Sequence, residues 1–460
     1  MLFSSITFLF GFLPLTLALY FILPQFKGSS SLRNYLLLGV SLLFYAWGEP
    51  VYVLLMLAQC FAAWALGLGI EKWRGKRAGK LMFALSCCVS LSGLLFFKYT
   101  DFVLVNLHLN PLRLALPIGI SFYTFQVMSY TIDLYRGDIP LQRNFFTLMT
   151  YVTLFPQLIA GPIVRYADVM GALVHRSHSL EGYARGVERF VVGLAKKVLL
   201  ANTLGQLVEF MRGRPNAMAA WTYLFAYTLH IYFDFSGYSD MAIGMGRMLG
   251  FKFLENFDYP YTARSVAEFW RRWHMSLGSW FRDYVYIPLG GNRVKPLRYV
   301  LNVMVVWGLT GFWHGANWNF MVWGLYYGVM LLFEKFVLKG RQERWPRALQ
   351  HVYGLLAVGL GFVLFDSAHL ADAGQTYLAL FGFSGGMNAQ ALYYLRSYAL
   401  PLAIGILGAT PLPARLAKNF REKAPGAFTV LSLVCIAVLL AIVTASLVDG
   451  SFNPFIYFRF

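Results

Sequence analysis

Long stretches of this chain carry no charged side chain, and their apolar residues are continuous. Backbone inside a bilayer must satisfy its own hydrogen bonds, so only helices and closed barrels can span it. Barrel strands would alternate in hydrophobicity, so each run predicts a membrane helix of about 20 residues. The uncharged runs cover residues 1–26, 50–70, 81–97, 114–132, 215–233, 299–333, 397–414 and 426–448. The pattern predicts an all-α integral membrane protein.

Placing the basic loops in the cytoplasm gives a topology of about twelve crossings around a central cavity, with both termini outside. Segments 144–164 and 265–290 then return to the cytoplasmic side as re-entrant or interfacial helices. The first segment has no basic region before its apolar stretch, so we expect a retained span rather than a signal peptide. Residues 1–460 are expected to form a single polytopic domain, with a motif core at approximately 116–328. The predicted spans lie near residues 3–24, 33–48, 51–70, 81–97, 114–134, 190–212, 217–247, 299–313, 317–337, 349–366, 397–413 and 427–448.

Charge supports this topology. Only 13% of the residues are charged, against about 25% in soluble proteins. The net charge is +18, and its cations cluster in short loops at residues 72–80, 339–347 and 415–423. This is the distribution of a positive-inside membrane protein, so lipid and not nucleic acid is the expected partner. The four cysteines all lie in apolar runs and show neither a disulfide framework nor metal-ligand spacing, so no metal is expected.

The uncharged run 299–333 is too long for one span. It holds 333 − 299 + 1 = 35 residues, and as one helix it would be about 52 Å long against a hydrocarbon core of about 30 Å. Near its middle, GFWHGANW contains two glycines, His314 and Asn317. Irregular backbone at membrane depth is tolerated only beside a protein-lined or watery cavity. The run therefore predicts a broken helix, with His314 facing a cavity.

Segment 265–291 has a different pattern. Ser265 and Glu268 form a predicted capping box, and the periodicity predicts one amphipathic helix stopped by Pro288 and the following glycines. At 100° per residue His274 falls on its aromatic face. The residues of that face are Trp270, Trp273, Leu277, Trp280, Phe281 and Tyr284, and Arg271, Arg272 and Arg282 lie off it. The simplest interpretation is an interfacial tryptophan belt with positive-inside arginines.

Among the other histidines, His230 lies one turn before Asp234, so a hydrogen bond within a helix is predicted. We interpret that pair as structural, with a proton relay as the alternative. An ionisable group inside a membrane is a functional hypothesis by default, which favours His314 over His274 as a functional residue.

Five long segments, in order, resemble the membrane-bound O-acyltransferase superfamily, and within it the bacterial alginate O-acetyltransferase type. They are LPIGISFYTFQVMSYTIDLYRG (116–137), FPQLIAGPIVRY (155–166), YFDFSGYSDMAIGMGRMLGF (232–251), ENFDYPYTARSVAEFWRRWHMSLGSWFRDYVYIPLGGNR (255–293) and LTGFWHGANWNFMVWGLYYG (309–328). The resemblance implies transfer of an acyl group from a cytoplasmic thioester, usually acetyl-CoA, to a hydroxyl acceptor. It places the two hallmark histidines on His274 and His314 and implies that His314 is catalytic.

The implied chemistry suits these residue types. A hydroxyl is a weak nucleophile until a neutral imidazole takes its proton, and the oxyanion formed on the thioester needs hydrogen-bond donors. Asn317, Trp313 and His274 are candidate donors. Arg271, Arg272 and Arg282 are candidates to hold the coenzyme A diphosphate, because guanidinium pairs with phosphate bidentately.

We therefore expect an O-acetyltransferase of the bacterial inner membrane that serves an exported cell-envelope polysaccharide such as alginate. The resemblance implies polysaccharide export machinery and an extracytoplasmic esterase-fold acetyltransferase or small acyl carrier as partners. One alternative is D-alanyl transfer to teichoic acid within the same superfamily. The other is a transporter without covalent chemistry, which would need inverted repeats and midplane charge pairs. No inverted repeat is evident in the sequence. No charge pair is expected at the midplane, because Asp234 is predicted near a span end and Lys196–Lys197 near the start of one.

Overall fold

The computed structural model describes residues 1–24, 31–214 and 216–450, which are helical with no β-strand among them. The all-α prediction is therefore confirmed for these residues. The prediction that the C-terminus lies on the outer side of the membrane concerns residues 451–460, which are not among the described ranges. In chain order the helices are α1 (Leu13–Ile22), α2 (Ser31–Ala46), α3 (Tyr52–Lys72), α4 (Arg77–Asn106), α5 (Ile120–Arg136), α6 (Phe145–Thr153), α7 (Phe155–Leu158), α8 (Tyr166–Val174), α9 (Leu180–Ala195), α10 (Asn202–Met211), α11 (Ala217–Met248), α12 (Val266–Arg272), α13 (Met275–Phe281), α14 (Pro296–His314), α15 (Trp318–Phe333), α16 (Arg347–Asp366), α17 (Leu370–Leu380), α18 (Ala389–Ser397), α19 (Ala399–Gly408), α20 (Leu412–Lys423) and α21 (Pro425–Val448). Short π-helical segments lie at Thr7–Phe12, Lys196–Ala201, Arg282–Tyr286 and Glu334–Leu338, and 3₁₀ turns at Pro260–Thr262 and Arg341–Arg344.

Several of these helices can cross a bilayer unaided. Over the described ranges, six segments are long and apolar enough, or seven if the pair α18 and α19, bent by 56°, counts as one span. The six are Tyr52–Lys72, Arg77–Asn106, Leu180–Met211, Trp318–Leu338, Arg347–Asp366 and Pro425–Val448. Each predicted span overlaps at least one helix, so a multi-pass membrane protein is confirmed, whereas twelve crossings stay a prediction.

The helices group into two compact units. The first comprises Met1–Phe190 with Tyr238–Leu254. Its core contains an aromatic cluster of Phe3, Phe8, Phe44 and Phe155, all at most 1% exposed. Their rings meet at centroid distances from 4.9 Å (Phe3 to Phe8) to 6.3 Å (Phe8 to Phe155). Burial of large aromatic side chains supplies most of the packing energy in such a core.

The second unit comprises Val191–Gly237 with the described part of Glu255–Phe460. Its core is built by α10, the first two thirds of α11, α12 and the helices α15–α17, with Leu207, Tyr227, Tyr327 and Phe362 at its centre. The predicted interfacial tryptophan belt is wrong. Trp273 and Trp280 are only 3% exposed, because the protein itself covers them.

The single helix predicted over segment 265–291 is also wrong. Half of the predicted capping box forms, since the Ser265 hydroxyl accepts a 3.0 Å hydrogen bond from the Glu268 N–H, while the Glu268 carboxylate accepts from the Arg264 N–H and not from that of Ser265. However, α12 ends at Arg272 and α13 begins at Met275. Between them His274 adopts the left-handed conformation (φ 45°, ψ 51°), which a residue with a Cβ rarely occupies. The break changes the direction of the chain at His274.

Two further predictions are wrong, and both concern a buried ion pair in the second unit: the position of its residues near span ends, and the hydrogen bond of His230 to Asp234. Lys197 Nζ lies 2.5 Å from Asp234 Oδ1, and both side chains are at most 2% exposed. Lys197 sits in the middle of the apolar segment Leu180–Met211, and Asp234 in the middle of α11, so neither is near a span end. His230 Nδ1 lies 2.6 Å from the Ala201 carbonyl oxygen and donates to it, so the predicted ring bond to Asp234 is not the one formed. Opposite charges at this depth compensate each other's desolvation.

Candidate active site

The helical hairpin of α14 and α15 positions His314. As predicted, the uncharged run breaks, with α14 ending at His314 and α15 beginning at Trp318. The two helices pack backbone to backbone through two glycines. A Cβ on Gly311 would lie 2.2 Å from the Phe320 carbonyl oxygen, and one on Gly324 would lie 2.2 Å from the Trp307 carbonyl oxygen. Only glycine fits these positions, so the hairpin fixes the last turn of α14 and the histidine that ends it.

His314 lies within an aromatic cage. Its side chain is 3% exposed, and its ring centroid is 4.9 Å from Trp313, 5.0 Å from Trp323 and 5.2 Å from Phe365. All three contacts are edge-on, with interplanar angles of 76–83°. The cage excludes water from most of the imidazole, which strengthens any hydrogen bond that the ring makes to a substrate.

His274 is held by Asn256. The Asn256 Oδ1 atom accepts from the Ser276 hydroxyl at 2.8 Å and from the Ser276 N–H at 3.3 Å, and it lies 3.1 Å from His274 Nδ1. An amide oxygen only accepts hydrogen bonds, so the ring nitrogen that faces it, Nδ1, carries the proton. In the neutral ring Nε2 then carries the lone pair. Burial in this non-crossing segment lowers the pKa of the imidazole to about 3, so it is neutral near pH 7. His274 is thus an acceptor at Nε2 and not a cationic donor.

Both histidines contact the same indole. The Trp313 ring centroid is 4.9 Å from that of His314 and 6.2 Å from that of His274. Trp313 itself is 4% exposed. The structure therefore brings together the two histidines singled out from the sequence, each in contact with the same buried ring.

A cavity of about 550 Å³, which we call cavity A, reaches His274. Its walls are Trp270, Trp273 and Trp307. Its charged lining consists of the cations Arg271, Arg282 and Lys335 and the carboxylates Glu334 and Glu343. It takes residues from the start of α14 (Tyr299) and the end of α15 (Leu331), and it extends along α14 as far as Thr310. It therefore runs from the open end of the hairpin to about one helical turn from His314.

A second cavity of about 990 Å³, cavity B, lies at the turn of the hairpin. Asn317, Asn319 and Phe320 line it, together with Phe365, which packs against His314. Its charged lining consists of Arg212, Arg214, Glu209, Asp366 and Asp372. Cavity A thus begins at the open end of the α14–α15 hairpin and cavity B lies at its turn. His274 lines cavity A, whereas His314 lines neither cavity and contacts Phe365 of the cavity B wall, so the predicted exposure of His314 to a cavity stays a prediction.

The other predicted site residues are divided between these places. Arg271 and Arg282 line cavity A, and Arg282 also pairs with Asp283 at 2.6 Å. Arg272 is outside the lining and pairs with Glu268 at 2.8 Å and Asp258 at 3.3 Å. Asn317 lines cavity B, where its Nδ2 donates to the Ala368 carbonyl oxygen at 3.0 Å. Their functional roles stay predictions.

Two residues of the site escaped sequence reasoning. The indole N–H groups of Trp270 and Trp323 are buried and have no hydrogen-bond acceptor among the residues that the structure describes. Their ring centroids are 5.6 Å apart, and Trp323 is in contact with His314. A buried donor left without an acceptor costs about 1–3 kcal/mol, so such a pair beside a cavity suggests a ligand. In the sequence, Trp270 was visible only as part of the aromatic face of segment 265–291, and Trp323 only as one residue of the segment 309–328.

Comparison with known proteins agrees with this architecture. A sequence profile of the membrane-bound O-acyltransferase family matches residues 117–365, which contain both histidines. The chain is 38% identical to the "Probable alginate O-acetylase AlgI" of Azotobacter vinelandii, over 100% of both chains. It is 33% identical to the peptidoglycan O-acetyltransferase of Helicobacter pylori, over 84% of this chain and 80% of the relative. It is 27% identical to the teichoic acid D-alanyltransferase of Bacillus subtilis, over 68% of this chain and 85% of the relative.

This chain therefore belongs to the membrane-bound O-acyltransferase family and is an O-acyltransferase enzyme.

Proposed function

We propose that this protein transfers an acetyl group from acetyl-CoA in cavity A to a hydroxyl presented through cavity B, for O-acetylation of an exported cell-envelope polysaccharide such as alginate. The observation that carries the proposal is the contact of both histidines with Trp313, since His274 lines cavity A and His314 contacts Phe365 of the cavity B wall. The names of the alginate and peptidoglycan relatives support an acetyl group and a polymer acceptor.

Cavity A suits the donor. Arg271, Arg282 and Lys335 provide cations for the phosphates of coenzyme A, and the tryptophan walls suit its uncharged arm. The cationic turn Arg341–Arg344 follows α15 at this end of the hairpin, and Gln342 and Glu343 of that turn line the cavity. By the positive-inside rule this end faces the cytoplasm, where acetyl-CoA is available. Cavity B then faces outward, in a protein of about twelve spans in the bacterial inner membrane.

His314 acts as the general base. The acceptor oxygen bonds to the thioester carbonyl carbon while its proton passes to the His314 imidazole. The tetrahedral oxyanion then collapses, the carbon–sulfur bond breaks, and the imidazolium returns the proton to the thiolate of coenzyme A. General-base assistance of this kind contributes about 10²–10⁴ in rate. His274, neutral and fixed by Asn256, accepts at Nε2 a hydrogen bond from the donor and orients it.

The indole N–H groups of Trp270 and Trp323 stabilise the oxyanion. Trp270 lines cavity A and Trp323 packs against His314, so the two donors flank the path from the thioester to the base. Neither is occupied by an acceptor from the described chain, so both are available when the carbonyl oxygen becomes negative. Preorganised donors in a water-excluded site are worth more than in water. They take the role predicted for Asn317, whose amide is bonded to Ala368.

The immediate acceptor is a hydroxyl of an exported partner, an esterase-fold acetyltransferase or a small acyl carrier, which works beside the polysaccharide export machinery. A hydrated polymer at membrane depth would leave many hydroxyl groups without partners, at a cost that a single protein side chain avoids. Cavity B supports this route, because its lining holds the three carboxamides Asn317, Asn319 and Gln375, which can hydrogen-bond a single hydroxyl-bearing side chain.

The test uses the purified protein in liposomes with labelled acetyl-CoA, polymer and the exported partner, added separately and together. We expect label in the polymer only when the partner is present, and none with His314→Ala. A D-alanyl thioester replaces acetyl-CoA in a parallel arm. Transfer from the D-alanyl donor and none from acetyl-CoA would assign the chain to D-alanylation, and efficient polymer labelling without the partner would refute the relay.

A further inference from the structure

A third cavity lies in the first unit, apart from the proposed reaction. Cavity C has a volume of about 640 Å³. It is lined by the end of α1 (Phe21), by the segment from Ser177 to Arg185 that opens α9, and by the end of α11 with the residues that follow, to Lys252. In the predicted topology these three ends all lie on the cytoplasmic side of the membrane.

The charge of cavity C is unbalanced. Arg185, Arg247 and Lys252 line it, and its one lining carboxylate, Glu181, is paired with Arg185 at 2.5 Å. The side chains of Arg247 and Lys252 form no ion pair or hydrogen bond with any residue in the described ranges. Cations that are not compensated by the protein attract an anion, and guanidinium with ammonium is the combination that binds phosphate.

Two further arginines add to the positive field. The guanidinium carbons of Arg33 and Arg176 lie 4.9 Å and 5.6 Å from the centroid of the Tyr20 ring, and the Tyr20 hydroxyl lies 3.2 Å from His178 Nε2 on the cavity wall. Arg33 and Arg176 are 8% and 4% exposed. The pKa of His178 is lowered by burial and by both arginines, which indicates how positive this wall is. Like charges held so close are stabilised by a bound anion.

The rim of the cavity is apolar. Phe21 is 41% exposed and Leu180 is 86% exposed, and both line the cavity. Exposed apolar side chains beside uncompensated cations at the cytoplasmic level of a membrane protein match the two parts of a phospholipid, a phosphate and an acyl chain. A soluble phosphate compound would use only the cations.

We propose that cavity C binds the phosphate headgroup of an anionic phospholipid, with Arg247 and Lys252 holding the phosphate and Phe21 and Leu180 contacting the chains. The site is separate from the acyl-transfer residues, so the proposal does not depend on the proposed function.

The experiment measures retention of phosphatidylglycerol and phosphatidylcholine by the purified full chain, using native mass spectrometry. The variant Arg247→Gln/Lys252→Gln should bind phosphatidylglycerol about thirtyfold more weakly, with phosphatidylcholine unchanged. Its matched control is Arg415→Gln/Lys418→Gln, which removes the same charge from the exposed helix α20 and should retain phosphatidylglycerol like the unmodified protein.

Thermal unfolding in neutral detergent tests whether the variant is folded. We expect an unchanged melting temperature, because the two side chains form no ion pair or hydrogen bond in the described ranges that the substitution would break. Equal phosphatidylglycerol retention by the double variant and the unmodified protein would overturn the proposal. So would displacement of the retained lipid by millimolar glycerol 3-phosphate, because the site would then recognise a soluble phosphate and not a lipid.

Discussion

Cavities A and B lie at the two ends of one helical hairpin but differ in charge. The lining of cavity A holds three cations and two carboxylates, and that of cavity B holds two cations and three carboxylates. In cavity B the main cation is neutralised, since Arg212 lies 2.6 Å from Asp366 and Tyr223 also donates to that carboxylate. In cavity A, Arg271 is exposed and forms no ion pair among the residues described.

In the proposed reaction, this difference separates the two substrates by their charge. A thioester of coenzyme A is a polyanion and is favoured where cations are free, whereas an alcohol is neutral and needs only hydrogen-bond partners. The charged carrier is therefore kept at one end, and only the small acyl group has to reach the junction of histidines and tryptophans. Four predictions test this division of the site.

The largest effect is expected for His314, the proposed general base within its aromatic cage. His314→Ala should lower acyl transfer by about 10²–10⁴, because the acceptor hydroxyl loses its base. The measurement is label transfer from acetyl-CoA in proteoliposomes that contain equal amounts of folded protein.

His274→Ala is the matched comparison, since it removes a histidine that contacts the same indole from the cavity A side. We expect a strong but smaller loss, mainly through misplacement of the donor. A folded His314→Ala protein that transfers acetyl groups at the unmodified rate would break the assignment of the junction.

The position of His314 could be predicted from the sequence because its signals are local. A run of 35 uncharged residues cannot be one span, and glycines beside His314 mark the break; α14 ends at that residue. The same reasoning found the helical class and the cap at Ser265, whereas the cationic segment 415–423, predicted as a loop, is part of helix α20. Each depends on length, composition or a few neighbouring residues.

The features that could not be predicted from the sequence depend on tertiary packing. The periodicity of segment 265–291 is continuous, and no glycine or proline marks the left-handed turn at His274. Arg271 and Arg272 are neighbours in sequence, yet only the fold directs one towards a cavity and the other towards Glu268 and Asp258. The pairing of Lys197 with Asp234 also joins different helices. The single-domain organisation stays a prediction.

The next effect concerns the two indole donors. Trp323→Phe and Trp270→Phe keep an aromatic ring but remove the N–H, so kcat should fall by about 10²–10³ with KM for acetyl-CoA little changed. Trp221→Phe is the control, because the Trp221 N–H donates to the Leu380 carbonyl oxygen, away from both histidines. That variant should lose stability and keep its kcat per folded molecule. If all three variants lose kcat alike, the indoles act through packing alone.

A smaller effect separates the two neighbouring arginines. Arg271→Gln should raise KM for acetyl-CoA about tenfold and leave kcat unchanged, because a charge-assisted contact to phosphate is lost. With acetyl-pantetheine, which lacks the nucleotide, the variant and the unmodified protein should behave alike. Arg272→Gln should leave KM unchanged, since Arg272 pairs with Glu268 and Asp258. An equal rise in KM for Arg272→Gln would show that the donor site extends beyond cavity A.

The smallest effect is on stability and follows from the burial of His274. Its pKa is about 3 in the folded protein and about 6.5 when unfolded, so below pH 6.5 the unfolded chain binds a proton that the folded chain does not. Folding stability from this group is therefore complete above pH 6.5 and falls as the pH drops, by about 1 kcal/mol at pH 5.5. Thermal unfolding of the unmodified protein and of His274→Gln, compared at pH 7.5 and 5.5, measures this pH-dependent contribution of His274 to folding stability. The difference in melting temperature between the two pH values should be smaller in the variant, because glutamine takes up no proton. An equal acid-induced loss of stability in both proteins would mean that His274 is hydrated and not buried at the edge of cavity A. The neutral His274 imidazole proposed for the donor side of the site would then be refuted.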